Sequence, residues 1–298
     1  MDEDGEKEDE AGPHAASVAA FEGARHGRIL GTPSLRVNLA TGAFRPRRRS
    51  IGYNPGVPRP LPRTFYARDT VTVARELLGC ILARRLADGA TLLARIVETE
   101  AYVGEEDKAC HARAGRTPRT DVLYGPPGVA YVYLTYGMHH LLNAVSEPEG
   151  RPAAVLIRAA EPLEGIERMA RGRGFGARGR RPGARKRGPA IRGSGARAAL
   201  DAPVPHNLAS GPAKLCQAFA LDLRQNRADL RGPDLWIEPG DPFADREIAT
   251  SPRIGCHTVP APWDRIPWRF FVAGSPFVTP GGAPRGGGTS RPSGKNSG

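Results

Sequence analysis

The sequence predicts an α+β fold, on the strength of two hairpin signatures and one well-capped short helix. Order is expected to begin near Leu61. Asp69 or Thr70 can cap a helix on which Val73, Ala74, Leu77 and Leu78 share a face, and Gly79 suits the residue that closes it. Cys80 to Leu86 then has strand character, Asp88-Gly89 supplies a tight turn, and the chain returns along Leu92 to Thr99. The second hairpin runs from Gly128 to Val145. Tyr131 and Tyr133 fall on one face and Val132 and Leu134 on the other; Tyr136-Gly137 makes the turn, and Leu141 and Asn143 lie on the returning strand. Ala153 to Arg158 is a short apolar strand, with Glu161 just beyond it. A helix from about Leu163 to Met169 follows. Another starts at Ser210-Gly211-Pro212, with Pro in its first turn and Leu215, Ala218 and Phe219 inward. Leu235 to Glu238, Arg253 to Gly255 and Trp268 to Val272 are expected to be strands.

Composition divides the chain. Its 37 glycines and 29 prolines concentrate at the two ends and in one internal block, which marks a folded part over 61–279 with disordered additions: a leader (1–60), an insertion (171–197) and a tail (280–298). The net charge of +12 follows the same division, since 171–197 holds ten Lys/Arg and no acid, and 280–298 holds three and none. Outside those segments and the nearly balanced leader there are 21 bases against 23 acids. Global charge is therefore no argument for what the folded part binds, and local clusters such as Arg113 to Arg119 must be. The basic block is suited to nonspecific attraction to phosphates, which keeps open a reading of the chain as a noncatalytic nucleic-acid-binding protein.

Cys80, Cys110, Cys216 and Cys256 have no CxxC spacing, which speaks against a zinc knuckle or a disulfide scaffold and suits a reducing cytosol. Cys110-His111 and Cys256-His257 leave two readings, metal ligands or small buried residues; the second is the commoner fate of a free cysteine. The acidic start has no apolar core of a signal peptide, and no run is long enough to span a membrane, so a soluble, unexported protein is expected.

The chemistry is expected between Arg95 and Arg119. Period-two geometry puts Glu98, Glu100 and Tyr102 on one face of a strand, so a carboxylate is held beside an aromatic ring. Apolar neighbours Ile96, Val97 and Ala101 should desolvate that carboxylate and raise its proton affinity toward that of a working general base. His111 follows, then Arg113, Arg116 and Arg119 in a cationic loop. The alternative is two surface glutamates and an ordinary loop histidine. Tyr136 is unusual for a hairpin tip, where polar residues and glycine prevail. It either inserts into something, as groove-binding proteins insert wedges between base steps, or folds back onto the core. Arg158 is a phosphate or carboxylate partner, or a surface cation. Lys214 with the free N–H groups around Gly211 can hold a phosphate, or the lysine is merely solvated.

These segments resemble the alkyladenine (3-methyladenine) DNA glycosylase family. The likeness runs in order through Val73 to Gly79, RIVETEAYVGEEDKACH, GVAYVYLTYGMHHLLN, VLIRAAEPLEG, SGPAKLCQAFAL, the RIG at Arg253 and PWRFFVAGSP, interrupted only by the basic insertion. It implies a single domain on a curved antiparallel sheet with a hairpin that enters the minor groove. It also implies Glu100 as the base that activates water, with Arg158 and the Ile254 carbonyl as partners of that water. Tyr102, His111 and Tyr133 would sandwich an extruded base, Asn143 would crowd out guanine, and Tyr136 would fill the vacated space. His139 and Leu142 depart from the family beside the wedge. With Lys108 the only lysine near the motif, a water nucleophile is expected and no Schiff base, and no metal or cofactor. The expected partner is double-stranded DNA with damaged purines, bound by a monomer.

Overall fold

The structure, a computed structural model, describes residues 58–175 and 204–279; positions 1–57 of the expected leader, most of the expected basic insertion and the expected tail lie outside the described residues. Helix α1 (Arg63–Tyr66) leads into α2 (Thr70–Glu76), whose cap is Asp69: its side chain accepts from the Thr72 N–H at 2.7 Å. Gly79 has φ +93° and no room for a side chain, since a Cβ there would lie 2.3 Å from the Asp241 carbonyl oxygen.

Strands β1 (Ile81–Arg85), β2 (Thr91–Val103), β3 (Ala130–Thr135), β4 (His139–Val145), β5 (Ala153–Glu164), β6 (Leu235–Glu238), β7 (Ile248–Ser251) and β8 (Arg269–Val272) form a curved antiparallel sheet. The main order is β3-β4-β5-β2-β1-β6, with β8 joining β2 and β7 joining β8. The long strand β2 is its axis. One edge pairs with β5 along most of its length. The other edge is shared, β1 taking Thr91 to Arg95 and β8 taking Glu98 to Glu100. Helices α3 (Ile166–Gly172) and α4 (Pro212–Ala218) complete the described architecture, with Leu215 and Phe219 of the α4 region packed into the same core as Val73, Leu77, Ile96, Ala101 and Ile157. Each large apolar side chain taken fully from water contributes about 1.5–3 kcal/mol, so this one core dominates the stability of the sheet.

Three expectations need correction. The strand from Ala153 does not stop at Arg158 but runs to Glu164, because Arg158 and Glu161 stay buried against β2. Arg253 to Gly255 is not a strand: Arg253 is irregular and leads into a turn at Ile254-Gly255, with Gly255 at φ +85°, and the strand lies earlier, at β7. The start of the presumed insertion is helical: Arg171 and Gly172 belong to α3.

Candidate active site

The site is built on an irregularity in the pairing of β2 with β5. Between Ile96↔Ala160 and Glu98↔Ala159 the register skips Val97, and between Glu98↔Ala159 and Thr99↔Ile157 it skips Arg158. Bulges of this kind re-aim a side chain. Arg158 bridges two carboxylates, its Nε donating to Glu98 Oε1 at 3.0 Å and its Nη1 to Glu100 Oε2 at 3.0 Å. Both glutamates are fully buried, so neither is a surface residue, and Arg158 is a carboxylate partner.

Glu100 is held on both oxygens. Its Oε1 accepts from the Ile254 N–H at 2.7 Å, and its Oε2 accepts from the Tyr102 hydroxyl at 2.8 Å as well as from Arg158. At Ile254 the group facing the acid is the backbone N–H. Glu98 departs from the expected rise in proton affinity. Burial pushes its carboxyl up, but the Arg158 and Arg269 guanidiniums and the Thr279 N–H outweigh burial and hold it below the usual range. Burial, and next the Glu100 carboxylate, push the Tyr102 phenol well above its ordinary value, so it remains a donor to that carboxylate.

Arg158, Tyr102 and Ile254, the three residues that hydrogen-bond to the Glu100 carboxylate, all line a cavity of about 390 Å³. That volume is within the ~300–1,000 Å³ of small-molecule sites. Its walls also carry His111, Tyr131, Tyr133, Asn143 and the hairpin tip at Tyr136. His111 begins a 3₁₀ turn (His111–Ala114), its Nδ1 hydrogen-bonded to the Tyr131 hydroxyl at 2.9 Å and its ring edge-on to Tyr133 with centroids 4.6 Å apart. Asn143 is buried and donates to the Tyr131 carbonyl at 3.0 Å. The turn is made by Tyr136 and Gly137, both at positive φ (50° and 66°), the requirement of a tight primed turn. Tyr136 is 89 % exposed, which rules out its folding back onto the core. Met138, 69 % exposed, extends the apolar tip.

The expected backbone contacts separate. Arg113 is exposed and donates to the Lys108 carbonyl. Arg116 is tied to Asp121 at 2.8 Å and lies over the Tyr124 ring. The loop cation that reaches the aromatic wall is Arg119, 5.2 Å from the Tyr133 centroid. Gly211 is buried and Lys214 half-buried; the neighbouring Pro212 and Ala213 line the cavity.

Two groups lie beyond what sequence reasoning picks out. Tyr131 completes the aromatic wall, and its spacing two residues before Tyr133 is the available signal. The pair Arg253–Asp107 has none, being 146 residues apart. Both side chains are completely buried. Arg253 Nη2 donates to Asp107 Oδ1 at 2.8 Å, and its Nη1 to Asp107 and to the Ala101 carbonyl. The guanidinium lies 4.7 Å from the Tyr102 ring centroid and 5.2 Å from that of Trp268. The four cysteines are buried; burial pushes the Cys110 thiol up to about 12 and raises Cys256, the opposite of what a metal-binding thiolate needs. Among the described residues no group of three or more His, Cys, Asp or Glu converges to hold a metal ion.

Burial, with Arg119 and Arg113 nearby, pushes the His111 imidazole down to about 4. The ring is then neutral through the physiological range and presents no charge to the cavity. Lowering the pH from about 6.5 to 4 should destabilise the fold, because the unfolded chain takes up a proton there that folded His111 refuses. Titration of the ring followed by NMR checks this: a midpoint at about 6 or above contradicts it.

Comparison with known proteins places the chain among relatives. The methylpurine-DNA glycosylase family model matches residues 64–276. A protein of Methanocella arvoryzae is 46% identical over 221 residues, covering 74% of this chain and 95% of its own length. One of Myxococcus xanthus is 41% identical over 224 residues, covering 75% and 95%, and one of Alkaliphilus oremlandii 43% over 220, covering 74% and 98%. All three carry the name "Putative 3-methyladenine DNA glycosylase". The chain belongs to the methylpurine-DNA glycosylase family, hydrolases that act on the N-glycosyl bond in DNA.

Proposed function

We propose that the protein, as a monomer, extrudes alkylated or deaminated purines from double-stranded DNA and hydrolyses their N-glycosidic bond with a water activated by Glu100. The observation that carries this reading is the fully buried Glu100 carboxylate, gripped by three residues that all face one tyrosine-lined cavity. Cleavage makes the sugar cationic in the transition state. An anionic Glu100 stabilises that charge and takes a proton from the attacking water, help typically worth about 10²- to 10⁴-fold. A base made electron-poor by alkylation stacks on Tyr133, Tyr102 and His111, with cation–π attraction of about 0.5–2 kcal/mol per ring. A neutral His111 adds no repulsion to a cationic base.

Tyr136 is the wedge. Burying most of a tyrosine, ~150–200 Å² at ~25 cal/mol/Å², yields about 4 kcal/mol, comparable to the few kcal/mol that unstacking a base step costs. Products are an abasic site and the free base. Incubation with duplexes containing 3-methyladenine or hypoxanthine, followed by cleavage at abasic sites, tests the reading: strand breaks at the lesion support it, and intact strands for both lesions overturn it. In the same assay Tyr136→Ser should lower kcat/KM on duplex by up to about 1,000-fold, the equivalent of the ~4 kcal/mol of insertion energy it forfeits. Equal rates for the two proteins would remove the wedge from the mechanism.

A further inference from the structure

The second carboxylate of the strand, Glu98, has no part in the chemistry proposed above, yet it accepts as many hydrogen bonds as Glu100, three each. Its Oε1 accepts from Arg158 Nε at 3.0 Å and from Arg269 Nε at 2.7 Å, and its Oε2 accepts from the Thr279 N–H at 2.7 Å. Arg269 is anchored in turn, its Nη1 donating to Ser251 Oγ at 3.0 Å and its guanidinium lying 4.3 Å from the Phe271 ring centroid. Glu98 and Arg269 are essentially sealed from solvent.

We infer that Glu98 is a positioning residue for the glycosylase reaction, fixing the Arg158 guanidinium so that Arg158 orients Glu100. The reason is geometric. Arg158 is the extra residue at the β5 bulge, so the sheet ladder alone does not dictate the direction of its side chain. A guanidinium is planar and rigid, and fixing the bond from Nε sets where its other N–H groups point. Glu98 takes the Nε proton. Nη1 is thereby aimed at Glu100, and the Nη2 group has no hydrogen-bond partner among the described residues while Arg158 lines the cavity. Glu98 is itself immobilised by strand β8 on one oxygen and by the Thr279 backbone on the other. Two carboxylates and two guanidiniums alternate, Arg269–Glu98–Arg158–Glu100, and of the four it is Arg158 that lines the cavity.

This inference rests on Glu100 as the base, and the experiment separates the two. Single-turnover excision, damaged-duplex affinity and melting temperature are measured for Glu98→Gln, Glu100→Gln, Arg158→Met and the double variant Glu98→Gln/Arg158→Met. Glu98→Gln should lower the rate about 10- to 100-fold, the effect of misplacing a reacting group by about an ångström or less, with affinity within about threefold. In the Arg158→Met background it should add less than about twofold, because a residue acting through another has nothing left to position. Full additivity, or a Glu98→Gln rate equal to wild type while Glu100→Gln is dead, overturns the inference and leaves the base assignment standing. An active Glu100→Gln overturns the base assignment itself, and this inference with it. Should Glu98→Gln fail to fold, Thr279→Pro and Thr279→Ala decide instead. Proline removes the N–H that holds Oε2 and alanine keeps it, so Thr279→Pro should be at least about threefold slower than Thr279→Ala. Equal rates in that pair reject the positioning role.

Discussion

Replacing Glu100 by Gln is expected to slow single-turnover excision by about 10²- to 10⁴-fold while damaged-duplex affinity stays within about threefold. The substitution keeps the shape of the side chain and an oxygen for the Ile254 N–H, which in the native site reaches Glu100 Oε1 at 2.7 Å. It removes the charge that would stabilise a cationic sugar and the lone pair that would receive the water proton. It leaves the stacking wall of His111, Tyr131 and Tyr133 and the exposed tip at Tyr136 untouched. Affinity and rate should therefore part company. A variant that turns over at the wild-type rate would remove Glu100 from the chemistry, and one that neither binds nor melts cooperatively would make the residue structural.

The largest stability effect is expected at a pair sealed away from solvent. Arg253→Met should cost about 3–5 kcal/mol, because Asp107 would remain as an uncompensated buried charge. Asp107 would still accept from the Val103 N–H at 3.1 Å and the Ala109 N–H at 2.9 Å, and these bonds alone do not replace a guanidinium. Most of the loss comes from leaving that lone charge desolvated; the two rings flanking Arg253 contribute less, at ~0.5–2 kcal/mol each. Urea unfolding measures the difference, and a loss under about 1 kcal/mol would mean that water enters to solvate Asp107. Function should suffer in parallel. Asp107 holds the segment just before His111, and Arg253 immediately precedes the Ile254 N–H that grips Glu100, so one ion pair braces two walls of the site.

Much of this architecture is legible in residue spacing, and the rest is not, for a physical reason. Local rules find the Asp69 cap, the Asp88-Gly89 turn and the Tyr136-Gly137 turn, since each is fixed by the conformational preferences of neighbouring residues. Period-two geometry puts Glu98, Glu100 and Tyr102 on one face, and Tyr102 does donate to Glu100. What spacing cannot supply is the identity of partners from distant strands. Burial of Glu98 is visible in its apolar neighbours; Arg269, 171 residues away, is not, and that guanidinium helps reverse the sign of the expected shift. Arg253 to Gly255 has a composition compatible with a strand, yet a buried charge pair fixes Arg253 in irregular backbone just before a turn. The bulge that frees Arg158 from the ladder is set by how two long strands pair, and it has no signature in the residues of β5 themselves.

Because β2 shares one edge between an early hairpin partner and β8, the proposed site is incomplete on any nascent chain that has not yet reached Arg269 and Thr279. Glu98 would emerge 171 positions before Arg269 and 181 before Thr279, whose arrival secures it. At roughly 5–20 residues per second, the bracing groups trail the acid by about ten to thirty seconds of translation. On the proposed mechanism, a nascent chain that already carries the acid and the aromatic wall would thus pose little threat to nearby DNA until β8 docks.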